Sequence, residues 1–355
     1  MGSINNNAQR RSRVVRFFKD QFYSKNYHYE SKLLKDLFYF IAIMRYLNTL
    51  VPNFIKYGIS VLVVIYLFRG VVNGVTIPYS ITYLVESARK GYSSQSFSNA
   101  MILLISSATI FAVTEIASMI YFKRLTRGIV LVKERLLDSV KSSRNDSSSD
   151  DLVGRIANDV DFVVWNINGV ITTLLPNLFT AIMSMISVYS FNSLVGVFTA
   201  ITLMPYIVYS EFYSRRAEIY RSIERRNYAL SISYIKSLVY GERVNGDLRR
   251  VLLEWNSSID KILWLDRYFW AISLSTALVS MSGIAFMSYK ELERNRLDIS
   301  SLAGLLSASL TAHFAMMNAM WALCIQGQTV AAIKRILEHL DTHVFAKQKY
   351  EASSS

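Results

Sequence analysis

The chain has 355 residues and a formal net charge of +13, from 39 Lys and Arg against 26 Asp and Glu, yet only 18% of it is charged and 52% is hydrophobic. Soluble domains carry about 25% charged residues, so this is not an ordinary water-soluble composition, and a mean hydropathy of +0.25 points to a polytopic membrane protein. The basic excess, which in a soluble chain would suggest nucleic acid, is instead the accumulation of Lys and Arg expected in cytoplasmic loops; no basic stretch interleaved with stacking aromatics argues for nucleic acid.

The first thirty or so residues are polar and basic, without the short apolar core and cleavage site of a signal peptide. The start, MGSINN, lacks the Ser or Thr that a myristoylation site places sixth. From Lys32 to Leu50 the text KLLKDLFYFIAIMRYLNTL sets Lys32, Lys35, Asp36 and Arg45 around an apolar side, which predicts a helix lying in the membrane interface.

Six apolar runs follow, near 57–85, 99–122, 162–190, 194–214, 267–289 and 299–325, each long enough for one crossing at about 20 residues per bilayer. The first is interrupted by Arg69 and contains Pro78. The third and fourth belong to a stretch without formal charge, Phe162 to Ser210, in which Pro176 and Pro205 predict kinks. Counting Lys and Arg outside the runs gives 32 on one set of connections and termini and 5 on the other, so both termini are expected in the cytoplasm. The two long cytoplasmic connections are poor in Gly and Pro, and from Tyr213 onward charges alternate with Tyr, Ile, Ala and Leu at helical spacing. A helix continuing there reaches about 25–30 Å beyond the membrane. The Ser-rich KSSRNDSSSDD, Lys141 to Asp151, marks a turn between two such helices.

Three short patterns carry a resemblance. DLVGRIANDVDFVV matches, at Arg155, Ile156, Asn158, Asp159 and Val160, the R-L-x-N-D-V half of G-E-L-x-S-R-L-x-N-D-V, with Asp150 and Gly154 replacing its glycine and serine. QTVAAIKRILEHLD matches Q-x-x-x-A-x-x-R-I-x-x-x-L-D at Gln328, Ala332, Arg335, Ile336, Leu340 and Asp341. SYIKSLVYGERV keeps Leu238 and Gly241 of E-x-L-x-G-I but has Lys236 in place of the acid. Over residues 35–341 the chain thus resembles the transmembrane domain of exporter-type (type IV) ABC transporters.

That resemblance implies an all-α membrane fold: six transmembrane helices prolonged into the cytoplasm behind an N-terminal elbow helix. It divides the chain into a basic tail (1–31), the transmembrane domain (32–341) and a short C-terminal tail (342–355). It also implies a plasma-membrane location and coupling helices near Ser142–Asp151 and Ser233–Arg243, with Arg155, Asn158, Asp159, Lys236 and Gly241 as coupling-loop residues. The implied partners are membrane lipid, a second transmembrane subunit, identical or not, and an ABC ATPase subunit. No G-x-x-x-x-G-K-[ST] occurs, so no P-loop is expected here; the chain is expected to be no enzyme by itself and to bind no cofactor directly, with ATP and Mg carried by the partner.

Charged and polar residues inside the runs are the candidates for a substrate pathway. A charge at the bilayer centre costs at least about 2.5–3.5 kcal/mol, which singles out Glu115, with Arg69 as its counter-ion from the first helix; Arg267 is expected to snorkel to the interface. His313, Asn318 and Trp321, with Met316, Met317 and Met320 in TAHFAMMNAMWALCIQGQ, fit either a flexible apolar pocket or ordinary helix–helix hydrogen bonding. The four histidines stand in no ligand spacing and Cys324 is the single cysteine, so neither a metal site nor a disulfide is expected. Three readings compete: the membrane subunit of an ATP-driven exporter, a transport-inactive relative acting as a membrane interaction protein, and an ion-coupled secondary transporter. The chain also reads as the membrane portion of a longer transporter, cut at the junction.

Overall fold

The computed structural model describes residues 60–91, 95–142, 160–241 and 248–353, together with Ile41 and Met44. Apart from Ile41 and Met44, the interfacial helix expected at Lys32–Leu50 lies outside the described residues, as do the motif residues Arg155, Asn158 and Asp159. Six helices make up the rest: α1 (Ser60–Lys90), α2 (Gln95–Ser142), α3 (Val160–Phe191), α4 (Ser193–Val239), α5 (Leu248–Glu293) and α6 (Ile299–Ser353). Each contains a segment long and apolar enough to cross a membrane, consistent with a multi-pass membrane protein. Among the described residues there is no β-strand.

Four of the six are far longer than a crossing. Helices α2, α4, α5 and α6 have 48, 47, 46 and 55 residues, or about 70–80 Å at 1.5 Å per residue, against about 30 Å of hydrocarbon. The expected crossings are therefore segments of longer rods. The short turns, at Asn192 and at Arg294–Asp298, share one end of the bundle, and the excess length lies at the other. On α5, exposed aromatics bracket the apolar stretch between the two ends. Trp264 and Tyr268 face outward near one level and Phe286 and Tyr289 near the other. Tyr268 and Tyr289 are about 32 Å apart along the helix, the separation of two interfacial aromatic belts.

Helix α6 is the centre, packing against α1, α3, α4 and α5. Ala308, Ala312, Ala315, Ala319 and Ala322 are buried along it at spacings of four and three, a small-residue seam that admits neighbouring backbones closely. Gly304 goes further: a Cβ there would lie 2.0 Å from Thr82 Oγ1 of α1.

Helix α1 is continuous but carries a π-helical insert, Val72–Thr76. Pro78 has no N–H to offer the carbonyl four residues back, that of Gly74. Ser187 Oγ of α3 donates to that carbonyl at 2.6 Å. Gly74 itself is required, because a Cβ would come within 2.5 Å of the Ser184 backbone nitrogen.

Beyond the aromatic level, α4 and α5 run on as an antiparallel pair. Trp255 Nε1 donates to Glu224 at 3.2 Å, Asn227 Nδ2 donates to Ser258 Oγ at 3.4 Å, and the Tyr228 and Trp255 rings meet at 5.5 Å. At the foot of α3, Lys133 of α2 pairs with Asp161 at 2.8 Å, and the Arg225 guanidinium lies 4.0 Å over the Phe162 ring.

Candidate functional site

The two charges singled out in the first two runs meet. An Arg69 guanidinium nitrogen pairs with Glu115 Oε1, and Arg69 Nε donates to Thr114 Oγ1 at 3.0 Å. The guanidinium also lies 5.7 Å from the centroid of Tyr66 and 5.6 Å from that of Phe111, contacts that spread its charge over two ring faces.

The pair's depth follows from packing. A Cβ on Gly70 would lie 2.7 Å from Phe179 Cβ, so Arg69 stands level with Phe179 of α3. That level is ten residues, about 15 Å, from the exposed Tyr189, and so near the middle of the apolar layer. Pairing removes the cost of isolated charges, but not symmetrically. The Arg69 side chain is 15% exposed and that of Glu115 is 67% exposed. The carboxylate thus opens sideways from the bundle, from the least buried of the six candidate spans: only 17% of the apolar window in α2 is buried.

Helix α2 packs inward through Ala100, Ser107, Thr114, Ser118, Tyr121 and Leu125. Thr114 thus lies on the buried seam and Glu115 at its flank. The π-insert of α1 begins three residues after Arg69, and the two glycines beside it hold α1 against α3. π-Helical turns recur at functional sites; here the insert sets the register that presents Arg69 to α2.

The α6 candidates divide. His313 is fully buried; its Nε2 is 3.2 Å from Thr202 Oγ1 of α4 and its Nδ1 is 2.9 Å from the Ser309 carbonyl. Tyr206 approaches its ring edge-on at 6.0 Å. This is helix–helix hydrogen bonding rather than a site open to ligand. Trp321 is part of an aromatic cluster, with ring centroids 5.6 Å from Tyr213, 5.1 Å from Phe269 and 5.3 Å from Trp270. Tyr213 Oη donates to Asp266 beside it. The cluster joins α4, α5 and α6 at the aromatic level, and the rings fill the space among themselves. Asn318 is half-buried on the side of α6 that carries Phe314 and Trp321.

At the far end of α4, Lys236 lies 5.7 Å from the Tyr240 ring. Gly241 adopts φ +71°, and its N–H bonds to the Leu238 carbonyl at 3.2 Å. The positive φ is a requirement for glycine at this helix end. The tip presents Leu238, Val239 and Tyr240, the last two 76% and 70% exposed.

Sequence reasoning missed a hub at the opposite end. Glu291 is buried, accepts from Arg294 at 3.0 Å, and is 3.3 Å from Asn192 Nδ2. Asn192 in turn accepts from the Val195 N–H at 3.1 Å as the cap of α4, so one carboxylate ties the two short turns together. The signal available was Glu291 three residues before Arg294. Next to it Asp298 starts α6: hydrogen bonds from Ser301, including its N–H at 2.8 Å, hold the carboxyl below the usual aspartate range. Among the described residues, no three His, Cys, Asp or Glu gather as a metal site would require. Compared with models of known protein families and with curated proteins, the chain matches none.

Proposed function

We propose that the chain is the transmembrane subunit of an ATP-driven exporter of the ABC type. In this reading it lies in the plasma membrane with both termini cytoplasmic and forms a translocation pathway with a second such subunit. A separately encoded ATPase, carrying ATP and Mg, drives it through the helical excursions. The observation that carries this reading is the α4–α5 hairpin: a paired rod that leaves the layer near Glu211 and continues about 28 residues, or some 40 Å, to a tip of exposed apolar residues. Exposed Val239 and Tyr240 at the end of a stalk in water call for a protein partner, and an ATPase is the partner that the three sequence patterns imply. The expected result is capture of an ATPase subunit by the wild-type chain in mild detergent, lost on Tyr240→Asp together with Val239→Asp. Capture of none, with export indifferent to nucleotide, overturns the reading.

One observation favours a second reading. A midplane carboxylate paired with arginine is also how an ion-coupled carrier holds its coupling site. Uptake driven by a proton gradient in vesicles without ATP, abolished by Glu115→Gln, would establish that reading in place of the first.

A further inference from the structure

We infer that two copies of this chain meet along the open side of α2, with Glu115 as the polar anchor of a two-fold contact at mid-membrane. The placement rests on the pairing of two subunits proposed above, and adds where that pairing occurs and what holds it. It begins from an imbalance: hydrocarbon supplies no hydrogen bond to a carboxylate, and an ionised side chain in the layer faces a protein interior or water, not lipid tails. Glu115 has two-thirds of its side chain uncovered, so something other than lipid must cover it.

The sequence around it is built for a helix. Met101, Ile105, Ala108, Ala112, Glu115 and Met119 follow one another at spacings of four and three, and all are exposed. They form a second seam beside the buried one, with the period of left-handed helix pairs. The two positions that precede Glu115 on it, Ala108 and Ala112, are alanines, which let a second backbone approach closely enough for a short polar side chain to reach across.

A second copy fits this seam better than an unlike helix because the Arg69–Glu115 pair holds both halves of a hydrogen bond, the widely exposed carboxylate and the smaller exposed part of the guanidinium, 15% of that side chain. Arginine offers five N–H donors. On Arg69, Nε is engaged by Thr114 and a terminal nitrogen by Glu115, which leaves guanidinium donors over. Glu115 keeps open acceptor positions on its uncovered side. Each pair is neutral as a unit, so two can be brought together without adding charge to the layer. A two-fold axis presents the spare acceptors of one pair to the spare donors of the other, the self-matching arrangement of an isologous contact.

The test uses cysteine cross-linking in lipid nanodiscs. Cys324 is the only cysteine and is buried, so a Cys324→Ala background leaves single introduced thiols to report. Ala108→Cys and Ala112→Cys should each give a disulfide-linked dimer on mild oxidation. Leu278→Cys, 71% exposed on α5, should not. Adding Glu115→Ala to Ala112→Cys should lower the cross-linked fraction about tenfold, the scale of one strong interhelical hydrogen bond.

Each other result counts against the inference in its own way. A dimer linked through Leu278→Cys but not through α2 leaves paired subunits standing and removes this contact. Single chains by mass, with no link from either helix, remove both. In native membranes, an Ala112→Cys adduct to a different protein, without self-linking, assigns the seam to another partner. An unchanged link with Glu115→Ala removes the anchor.

Discussion

Two polar insertions interrupt the same apolar layer and are treated in opposite ways. His313 on α6 is enclosed, with Thr202, Ser309 and Tyr206 around it. Glu115 on α2 has its counter-ion on one side and, among the described residues, no further hydrogen-bond or ion-pair partner on the other. The contrast separates a polar group that joins helices from one that awaits something. A buried histidine with both ring nitrogens engaged has no capacity left for a ligand, whereas a carboxylate with an open flank at the midplane is incomplete within one chain. Cost in the membrane raised both residues as candidates; only the direction of the open surface distinguishes them.

The largest test of this contrast is to strand the acid. Arg69→Met leaves Glu115 without its cation and should lower stability by about 3 kcal/mol, read as a fall in the thermal midpoint of the nanodisc-embedded protein. Adding Glu115→Gln should restore most of it. A double variant no better than Arg69→Met would mean that the arginine acts through packing alone.

Next comes the register that delivers Arg69. Gly74→Ala places a Cβ 2.5 Å from the Ser184 backbone nitrogen, too close to be absorbed by a side chain, and should cost about 2 kcal/mol. It should also reduce the α2 cross-link while leaving the α4–α5 stalk intact by limited proteolysis. The enclosed site should respond less. His313→Leu removes one interhelical hydrogen bond and should cost about 1 kcal/mol or less, with cross-linking and transport unchanged; an effect on transport would return His313 to the pathway.

The smallest effect lies outside the layer. The carboxyl of Asp298 is held below the usual range by Ser301. Its contribution is therefore complete above the ordinary aspartate pKa and fades as pH falls through the lowered folded value. Asp298→Ala should cost about 0.5–1 kcal/mol at pH 6, as an exposed helix cap does. The gap between wild type and variant should shrink as the midpoint is measured at successively lower pH below about 4.

The sequence was most legible where one physical rule dominates. Twenty apolar residues in a row mean a crossing, and six helices long and apolar enough for one appear; a charge inside such a run needs a partner, and Arg69 finds Glu115. What stayed hidden depends on rotation and register. Nothing in the text of α2 says that residue 115 rather than 114 faces outward. The π-insert arises from Pro78 acting on a carbonyl four residues away, and Ser187 answers it from another helix. The methionines beside Trp321 in sequence left a pocket wall and ordinary helix packing both open, and only the fold sets Tyr213, Phe269 and Trp270 around it. Glu291 went unnoticed because an acid beside basic residues at the end of a helix reads as surface, and only the fold brings Asn192 over it.

Helix α6 runs unbroken from Ile299 to Ser353 and packs against α1, α3, α4 and α5, with a slighter contact to α2. A helix held along one part of its length acts as a lever. With its fulcrum near His313, the forty residues beyond extend about 60 Å, so a tilt of ten degrees there swings the far end through roughly 10 Å. Small adjustments among buried alanines therefore become displacements as large as a helix diameter at the distant tip, and force applied at that tip returns to the layer multiplied several-fold.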